Sequence, residues 1–137
     1  MIRESGVPSI HSVTTTFGAL AKGEGAADPL EVLRQLGGRE MAALAGGILA
    51  ARVQKTPVLL DGYTACAAAA VLQALRPDAA DHCLAAHVTA EPGHRTLLEH
   101  LGLKPVLDLE ISAGGGAGGA AAIALLRAAA AAWPPNS

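Results

Sequence analysis

Three short segments of the sequence carry the groups that could do chemistry. The first is LDGY, in which Asp61 precedes a glycine at the end of an apolar run. The second is TAEPGHR, which begins at Thr89, and the third is a loop with five glycines in six positions, 114–119. The carboxylates could act as acid or base, and the glycine loop could present backbone N–H groups to an anion.

The segment TAEPGHR places a hydroxyl, a carboxylate, an imidazole and a guanidinium close together. Glu91 could act as an acid or base, or it could be a carboxylate favoured at a helix start by the helix dipole. Asp61 has a comparable alternative, because Asp-Gly pairs also form turns. Only Glu91 and His94 are ligand-type residues in this segment, so we expect no metal site. Three other histidines are interpreted as structural: His82, His87 and His100.

The glycine-rich loop precedes an Ala/Leu run that is typical of a helix, so the loop would lie at a helix N-terminus, where anions bind. It has no lysine and does not match the phosphate-binding pattern G-x-x-x-x-G-K-[ST]. A match to the dinucleotide-binding pattern G-x-G-x-x-G is ambiguous because the neighbouring positions are also glycine. In addition, no acidic residue follows about twenty positions later. Ligand contact and a turn that allows close backbone packing are equal alternatives.

Composition limits the classes of protein and partner that fit the chain. Its 137 residues suffice for one domain with a core. Hydrophobic residues make up 51% and aromatic ones only 2%, so the core must consist of small aliphatic side chains. The formal net charge of −2 offers no basic footprint for a nucleic acid. Cys66 and Cys83 lie in apolar surroundings without metal-ligand spacing, so we predict that they are reduced core thiols.

Neither a targeting segment nor a membrane anchor is expected. The first ten residues are polar and interrupted by glycine and proline, which does not fit a secretory signal. The longest apolar run, 120–133, is Ala-rich, contains Arg127 and is too short to span a bilayer. We therefore expect a cytoplasmic protein that does not associate with membranes.

Hydrophobic periodicity and the positions of glycine and proline predict an α/β fold. Residues 1–27 show no sustained period and are interpreted as an irregular N-terminal arm, and 28–137 as the α/β domain. The predicted helices are 28–36, 39–53, 63–76, 92–102 and a last one that reaches residue 133, and the predicted strands are 56–62, 82–88 and 105–110. This order indicates a three-layer parallel sheet with crossover helices, preceded by two helices. The strand ends would bring Asp61, Glu91 and the glycine loop to one edge.

Four segments together resemble one known family. They are DPLEVLRQLGGREMAALAGGILAA, PVLLDGY, AAHVTAEPGHRTLLEHLGLKPVLDLE and GGGAGGAAAIALLRAA. In order and spacing, over roughly residues 28–131, they are similar to the C-terminal part of nicotinate-nucleotide:dimethylbenzimidazole phosphoribosyltransferase. The resemblance implies the C-terminal α/β portion of that fold and commonly a homodimer. The implied reaction, in the cobalamin lower-ligand pathway, moves the phosphoribosyl group of nicotinate mononucleotide onto a benzimidazole nitrogen. A glutamate serves as general base, and neither metal nor cofactor is implied.

The family motifs, carried over residue by residue, assign a substrate site. The family's LDGF corresponds to the segment LDGY around Asp61, and its SAEPGH corresponds to TAEPGH, with a hydroxyl kept at Thr89 near the nucleotide. The substrate-binding residues that the resemblance implies are Asp61, Gly62, Tyr63, Thr89, Glu91, Gly114 and Gly116.

The glycine loop departs from the family motif GEGTGAA, because it reads GGGAGGA here. Gly115 stands at the position of the family's catalytic glutamate and has no side chain, so no catalytic residue is predicted in this loop. Ala117 likewise replaces a small hydroxyl residue of the family. Glu110, five residues before Gly115, could substitute as the base, or it could be a solvated carboxylate at a strand end.

Family members are more than twice as long, so the resemblance indicates a truncated homologue without the upstream half. On this hypothesis the chain is a subunit or ligand-binding remnant that binds nicotinate mononucleotide or a benzimidazole-like molecule and is inactive alone. Its protein partner would be another copy, or a chain that supplies the missing half. The alternative is a non-catalytic regulatory or dimerising module, with the Ala/Gly-rich helix 39–53 as its contact face.

Overall fold

The computed structural model describes residues 28–109 and 115–133. The predicted arm at 1–27, Glu110 and Gly114 lie outside the described residues. The elements follow the predicted order. They are α1 (Pro29–Val32), continued by a π-helical turn (Leu33–Gly37), α2 (Gly38–Val53), β1 (Val58–Leu60), α3 (Gly62–Leu75), β2 (Cys83–His87), α4 (His94–Leu101), β3 (Pro105–Leu107) and α5 (Ala117–Ala132).

The two leading helices follow one another without a connecting loop. At the start of α1, Asp28 Oδ1 accepts a hydrogen bond from the Leu30 amide at 3.0 Å, and Pro29 occupies the first turn, as predicted. The predicted break at the glycine pair is not a loop, because α2 starts directly at Gly38, whose φ is 65°. Glycine adopts this left-handed φ without the steric cost that other residues meet there.

The three strands form a parallel sheet in the order β1-β2-β3. Val58 pairs with Cys83, and His87 pairs with Leu107, so the three carboxyl ends lie at one edge. The strands are shorter than predicted at this edge, because the chain enters α3 directly after Asp61. The predicted parallel α/β fold is confirmed.

Helices cover both faces of the sheet and give the predicted three layers. On one face α3 supplies a core of small side chains, in which every residue from Cys66 to Leu72 is buried. Cys83 and Ala85 of β2 belong to this core. Because successive strand residues point to opposite faces, Leu84 points toward α5, where it lines a groove together with Ile123.

Both cysteines are free and buried, which confirms the prediction of core thiols. Burial raises the pKa of the Cys66 thiol to about 12 and that of the Cys83 thiol to about 11, so both stay protonated at neutral pH. Within the ranges 28–109 and 115–133, no helix is both long enough and apolar enough to cross a membrane.

Candidate functional site

A cavity of about 720 Å³ opens at the carboxyl edge of the sheet. Open parallel sheets bind their ligands at this edge, and small-molecule pockets typically measure roughly 300–1,000 Å³. The lining residues are Glu40, Leu44, Ile48, Val58, Leu59, Leu60, Asp61, Gly62, Thr64, Ala65, His87, Thr89, Ala90, Glu91, Pro92 and Gly115. The cavity is therefore large enough for a nucleotide and is walled by α2, the strand ends and the loop before α5.

The structure brings some of the predicted substrate-binding residues together and leaves others out. Those in the cavity wall are Asp61, Gly62, Thr89 and Glu91. Tyr63 is not in the wall, and its ring packs edge-on against the ring of His94 with centroids 5.9 Å apart. Gly116 is not in the wall either and precedes the first turn of α5 with a φ of 84°. Gly114 lies outside the described residues.

Asp61 connects the sheet edge to the start of α5. Its Oδ1 accepts a hydrogen bond from Nε2 of His87 at 3.0 Å and another from the amide of Gly119 at 2.8 Å. Asp61 follows β1, His87 ends β2, and Gly119 lies in the first turn of α5, where negative charge is favourable. One carboxylate oxygen thus holds three elements at the cavity, a role well beyond that of a turn residue.

Two glycines of the loop allow this close approach. A Cβ atom at Gly118 would overlap the imidazole ring of His87, and a Cβ atom at Gly119 would meet Asp61 Cβ at 3.4 Å. The packing explanation of the glycine-rich segment therefore holds at these two positions.

His87 is a site residue that the sequence alone did not reveal. It was interpreted as structural, yet it lines the cavity, is only 3% exposed and bonds Asp61. Its Nδ1 is buried without a hydrogen-bond partner among the described residues. The available signal was topological, because Asp61 follows one strand and His87 ends another, and the two strands are neighbours in a parallel sheet.

His94 fixes the conformation of the loop that carries Thr89. The Thr89 amide donates to His94 Nδ1 at 3.0 Å, so the ring proton lies on Nε2, which is 3.4 Å from Cys66 Sγ. The Thr89 Oγ1 atom is 2.9 Å from the same Nδ1. His94 is fully buried, and this burial, with a smaller effect of nearby His87, lowers its pKa from 6.5 to about 4. The imidazole is therefore neutral at pH 7 and acts as an acceptor for Thr89.

Both interpretations of Glu91, as an acid or base and as a carboxylate at a helix start, are compatible with its position. Thr89 Oγ1 donates to Glu91 Oε2 at 3.5 Å, which keeps the carboxylate beside the cavity. The carbonyl of Glu91 accepts from the His94 amide at 3.2 Å, just where α4 begins. The residue therefore stands at a helix start and in the cavity wall together.

Glu40 also lines the cavity and was not singled out in the sequence. It lies in the first turn of α2, one and two helical turns before Leu44 and Ile48, which share the cavity wall with it. Residues four apart lie on one face of a helix, so the periodicity of α2 could have revealed this carboxylate once the cavity was known.

Gly115 lines the cavity with a backbone φ of 78°. A Cβ atom at this position would have no heavy atom within 4 Å, so there is open space for a side chain that the residue lacks. Across 28–109 and 115–133, no group of three or more His, Cys, Asp or Glu residues is placed to hold a metal ion.

The α/β layers and the cavity at the sheet edge lie within a region that matches a known protein family. A family model described as phosphoribosyltransferase matches residues 10–134, which covers most of the chain, and the chain belongs to this family. Within it, the chain is a member of the nicotinate-nucleotide:dimethylbenzimidazole phosphoribosyltransferases, as the sequence predicted. The match begins at residue 10, inside the predicted arm and upstream of the residues on which the resemblance rested.

Named relatives and solved structures agree with this assignment. The chain is 63% identical over 87 residues to nicotinate-nucleotide–dimethylbenzimidazole phosphoribosyltransferase of Brucella anthropi and 61% identical to that of Sinorhizobium medicae. The crystal structure of the enzyme so named from Thermus thermophilus matches 87% of this chain with a TM-score of 0.76 and 33% identity. The aligned region is 26% of the Brucella protein and 44% of the Thermus chain, so this chain matches only part of each relative.

Proposed function

We propose that the cavity binds nicotinate mononucleotide or a benzimidazole-like base, and that the chain serves phosphoribosyl transfer in cobalamin lower-ligand synthesis. The observation that carries the proposal is the convergence of Asp61, Thr89 and Glu91 on one cavity, each at a position that matches a family motif. The names of the Brucella and Thermus relatives support the choice of ligands.

The polar groups of the cavity wall suit a phosphorylated ribose. The Thr89 hydroxyl and the Glu91 carboxylate can form hydrogen bonds to sugar hydroxyls. Backbone N–H groups in the loop before α5 can receive the phosphate, with the helix dipole favouring its charge. Under this proposal Gly62, Tyr63, Gly114 and Gly116 complete the substrate site that the motifs assign.

Under this proposal the chain lacks the general base that the family carries at the position of Gly115. Gly115 has no side chain, and the loss of a general base costs a factor of about 10²–10⁴ in rate. The chain would therefore act as a ligand-binding subunit or remnant, with weak or no transfer activity alone. Polypeptide outside the matched region, in the same chain or in another, would complete the substrate contacts.

The proposal also includes a cytoplasmic location and a division of the chain into an arm and a domain. The location is supported by two buried thiols that are both free, as expected in a reducing compartment. The division into an arm at 1–27 and a domain at 28–137 also stays a proposal.

Isothermal titration calorimetry with each ligand separately tests the proposed function. We expect saturable heat with nicotinate mononucleotide, and a loss of affinity of at least about fivefold for Thr89→Val, because each lost hydrogen bond costs about 1 kcal/mol or more. Thr56→Val is the matched control, since Thr56 is exposed and outside the cavity. Circular dichroism of each variant establishes that it is folded. Absence of binding of both ligands to the folded chain would refute the proposal.

The second candidate function is a dimerising module, and one specific observation favours it. The solvent-facing side of α2 carries no charged side chain over three turns. Its exposed residues there are Ala42, Ala43, Gly46, Gly47, Leu49, Ala50 and Val53. Neither Gly46 nor Gly47 has a heavy atom within 4 Å of a Cβ built on it, so another helix could approach this side closely. Self-association through α2 is compatible with ligand binding at the cavity.

A further inference from the structure

The cavity contains three carboxylates that differ in how they are engaged. Asp61 accepts hydrogen bonds from His87 and from the Gly119 amide on the same oxygen. Glu91 accepts from the Thr89 hydroxyl at 3.5 Å. The side chain of Glu40 has no hydrogen bond or ion pair with any other residue in the part of the chain that the structure describes, although Glu40 lines the cavity. Of the three carboxylates, Glu40 is therefore the one whose oxygens accept no hydrogen bond from another described residue.

This difference decides which group could accept a proton at low structural cost. Protonation of Asp61 would weaken the contacts that hold β2 and α5 at the cavity edge. Protonation of Glu91 would weaken its contact with Thr89. Glu40 is exposed, lies in the first turn of α2 and holds no other element in place. It can therefore gain and lose a proton while the cavity keeps its shape.

We propose that Glu40 is the general base of this cavity, in the role for which Gly115 has no side chain. The inference rests on the proposed function. The unprotonated benzimidazole nitrogen forms a bond to C1′ of the nucleotide as the bond from C1′ to the pyridine nitrogen breaks, and that electron pair leaves with nicotinate. The other benzimidazole nitrogen carries the proton, which passes to a carboxylate oxygen of Glu40, and the product becomes a neutral benzimidazole nucleoside phosphate.

The geometry of α2 is compatible with this role. Glu40 stands on the same face as Leu44 and Ile48, and all three contribute to the cavity wall. A flat apolar base could lie against Leu44, which is partly exposed, with its edge directed along the helix toward the carboxylate. The apolar wall would hold the ring, and Glu40 would receive the proton that the ring must lose.

Chromatographic detection of the transfer product tests the inference. The full chain at high concentration is incubated with nicotinate mononucleotide and dimethylbenzimidazole, and the initial rate is measured for the wild type, Glu40→Gln and Glu40→Asp. We expect slow product formation by the wild type, a fall of about 100-fold or more for Glu40→Gln, and partial activity for Glu40→Asp. Glu99→Gln is the control, because Glu99 is exposed on α4 and outside the cavity.

Calorimetry on the same proteins separates this inference from the proposed function. We expect nicotinate mononucleotide to bind Glu40→Gln within about twofold of the wild-type affinity, because the residue is assigned to proton transfer and not to nucleotide binding. Wild-type activity in Glu40→Gln would overturn the inference. Binding without any product in the wild type would also overturn it while leaving the proposed function intact. Failure of both ligands to bind would instead overturn the proposed function.

Discussion

Oδ1 of Asp61 lies 3.0 Å from Nε2 of His87, across the carboxyl ends of two neighbouring strands. The amide of Gly119 approaches the same oxygen to 2.8 Å, so the N-terminus of α5 is held at the sheet edge by a single carboxylate. These two contacts hold the first turn of α5 beside the cavity, and neither of them involves position 115. Gly118 and Gly119 allow this close approach, because a Cβ atom at Gly118 would overlap the His87 ring and one at Gly119 would meet Asp61 at 3.4 Å.

The fit of Gly118 against His87 makes this glycine essential for stability. In Gly118→Ala the added methyl group would overlap the His87 ring, so we expect the free energy of unfolding to fall by about 1–3 kcal/mol. Urea denaturation followed by circular dichroism measures the change. Gly47→Ala is the matched control, because Gly47 is exposed in α2 with open space around it, and it should gain about 0.5–1 kcal/mol. Equal effects of the two substitutions would contradict the packing.

His94 should make the stability of the chain depend on pH below neutrality. The pKa of His94 in the folded chain is about 4, below its ordinary value of 6.5. Between these two pH values the unfolded chain therefore binds a proton at His94 that the folded chain does not bind. The stabilisation is present above pH 6.5 and is lost as the pH falls toward 4, by up to about 3 kcal/mol.

Denaturation between pH 5 and pH 7 measures this effect apart from Glu31 and Asp78, because their lowered pKa values act below that range. We expect His94→Gln to be less stable at pH 7 but to lose the pH dependence. His100→Gln, which alters a less buried histidine at the end of α4, should keep it. An unchanged slope in His94→Gln would assign the pH dependence to other groups.

A carboxylate introduced at position 115 should enter the cavity. The backbone there has a φ of 78°, so Gly115→Glu is expected to lower the free energy of unfolding by about 1–2 kcal/mol. The surrounding space is open, and in a Glu40→Gln background, which lacks the proposed base, the new carboxylate should raise the rate of product formation by about 10²–10⁴-fold. The control is Gly115→Gln, which carries the same strain without the base. Equal rates for the two variants would mean that position 115 does not face the reacting atoms.

The exposed face of α2 should mediate self-association. Leu49 is 43% exposed on this face, and a charge in its place would have to be desolvated in a contact between helices. We expect sedimentation velocity to show a dimer or larger species for the wild type and mainly monomer for Leu49→Glu. Gln54→Glu, just beyond the end of α2, is the control for added charge. A folded wild-type monomer at high concentration would count against this use of the face.

Much of the fold could be predicted from the sequence because its signals are local. Asp28, Pro29 and the glycine pair mark helix ends by their own backbone preferences, and the short apolar runs between helices indicate buried parallel strands. Strand ends were predicted less well, since β1 stops at Leu60 where Asp61 and Gly62 redirect the chain into α3. Pairing across the sheet, and not local preference, decides where a strand ends.

The candidate site was predicted only in part, because local motifs reveal some of its residues and contacts between distant elements supply the others. Motifs indicated Asp61, Thr89 and Glu91, and the cavity wall contains all three. His87 and Glu40 were missed because their contributions depend on contacts between elements distant in sequence. The His87–Asp61 contact joins residues 26 positions apart, and Glu40 reaches the cavity because α2 packs against α3.

Binding at the carboxyl edge of the sheet is the central claim, and an amide NMR titration with nicotinate mononucleotide tests it most directly. The predicted result is a saturable shift of the amides of Gly62, Thr89 and Gly115, with those of Ile123 and Ala130, in the groove on the α5 face, unchanged. Shifts confined to that groove, or no shifts in the folded protein, would contradict the claim.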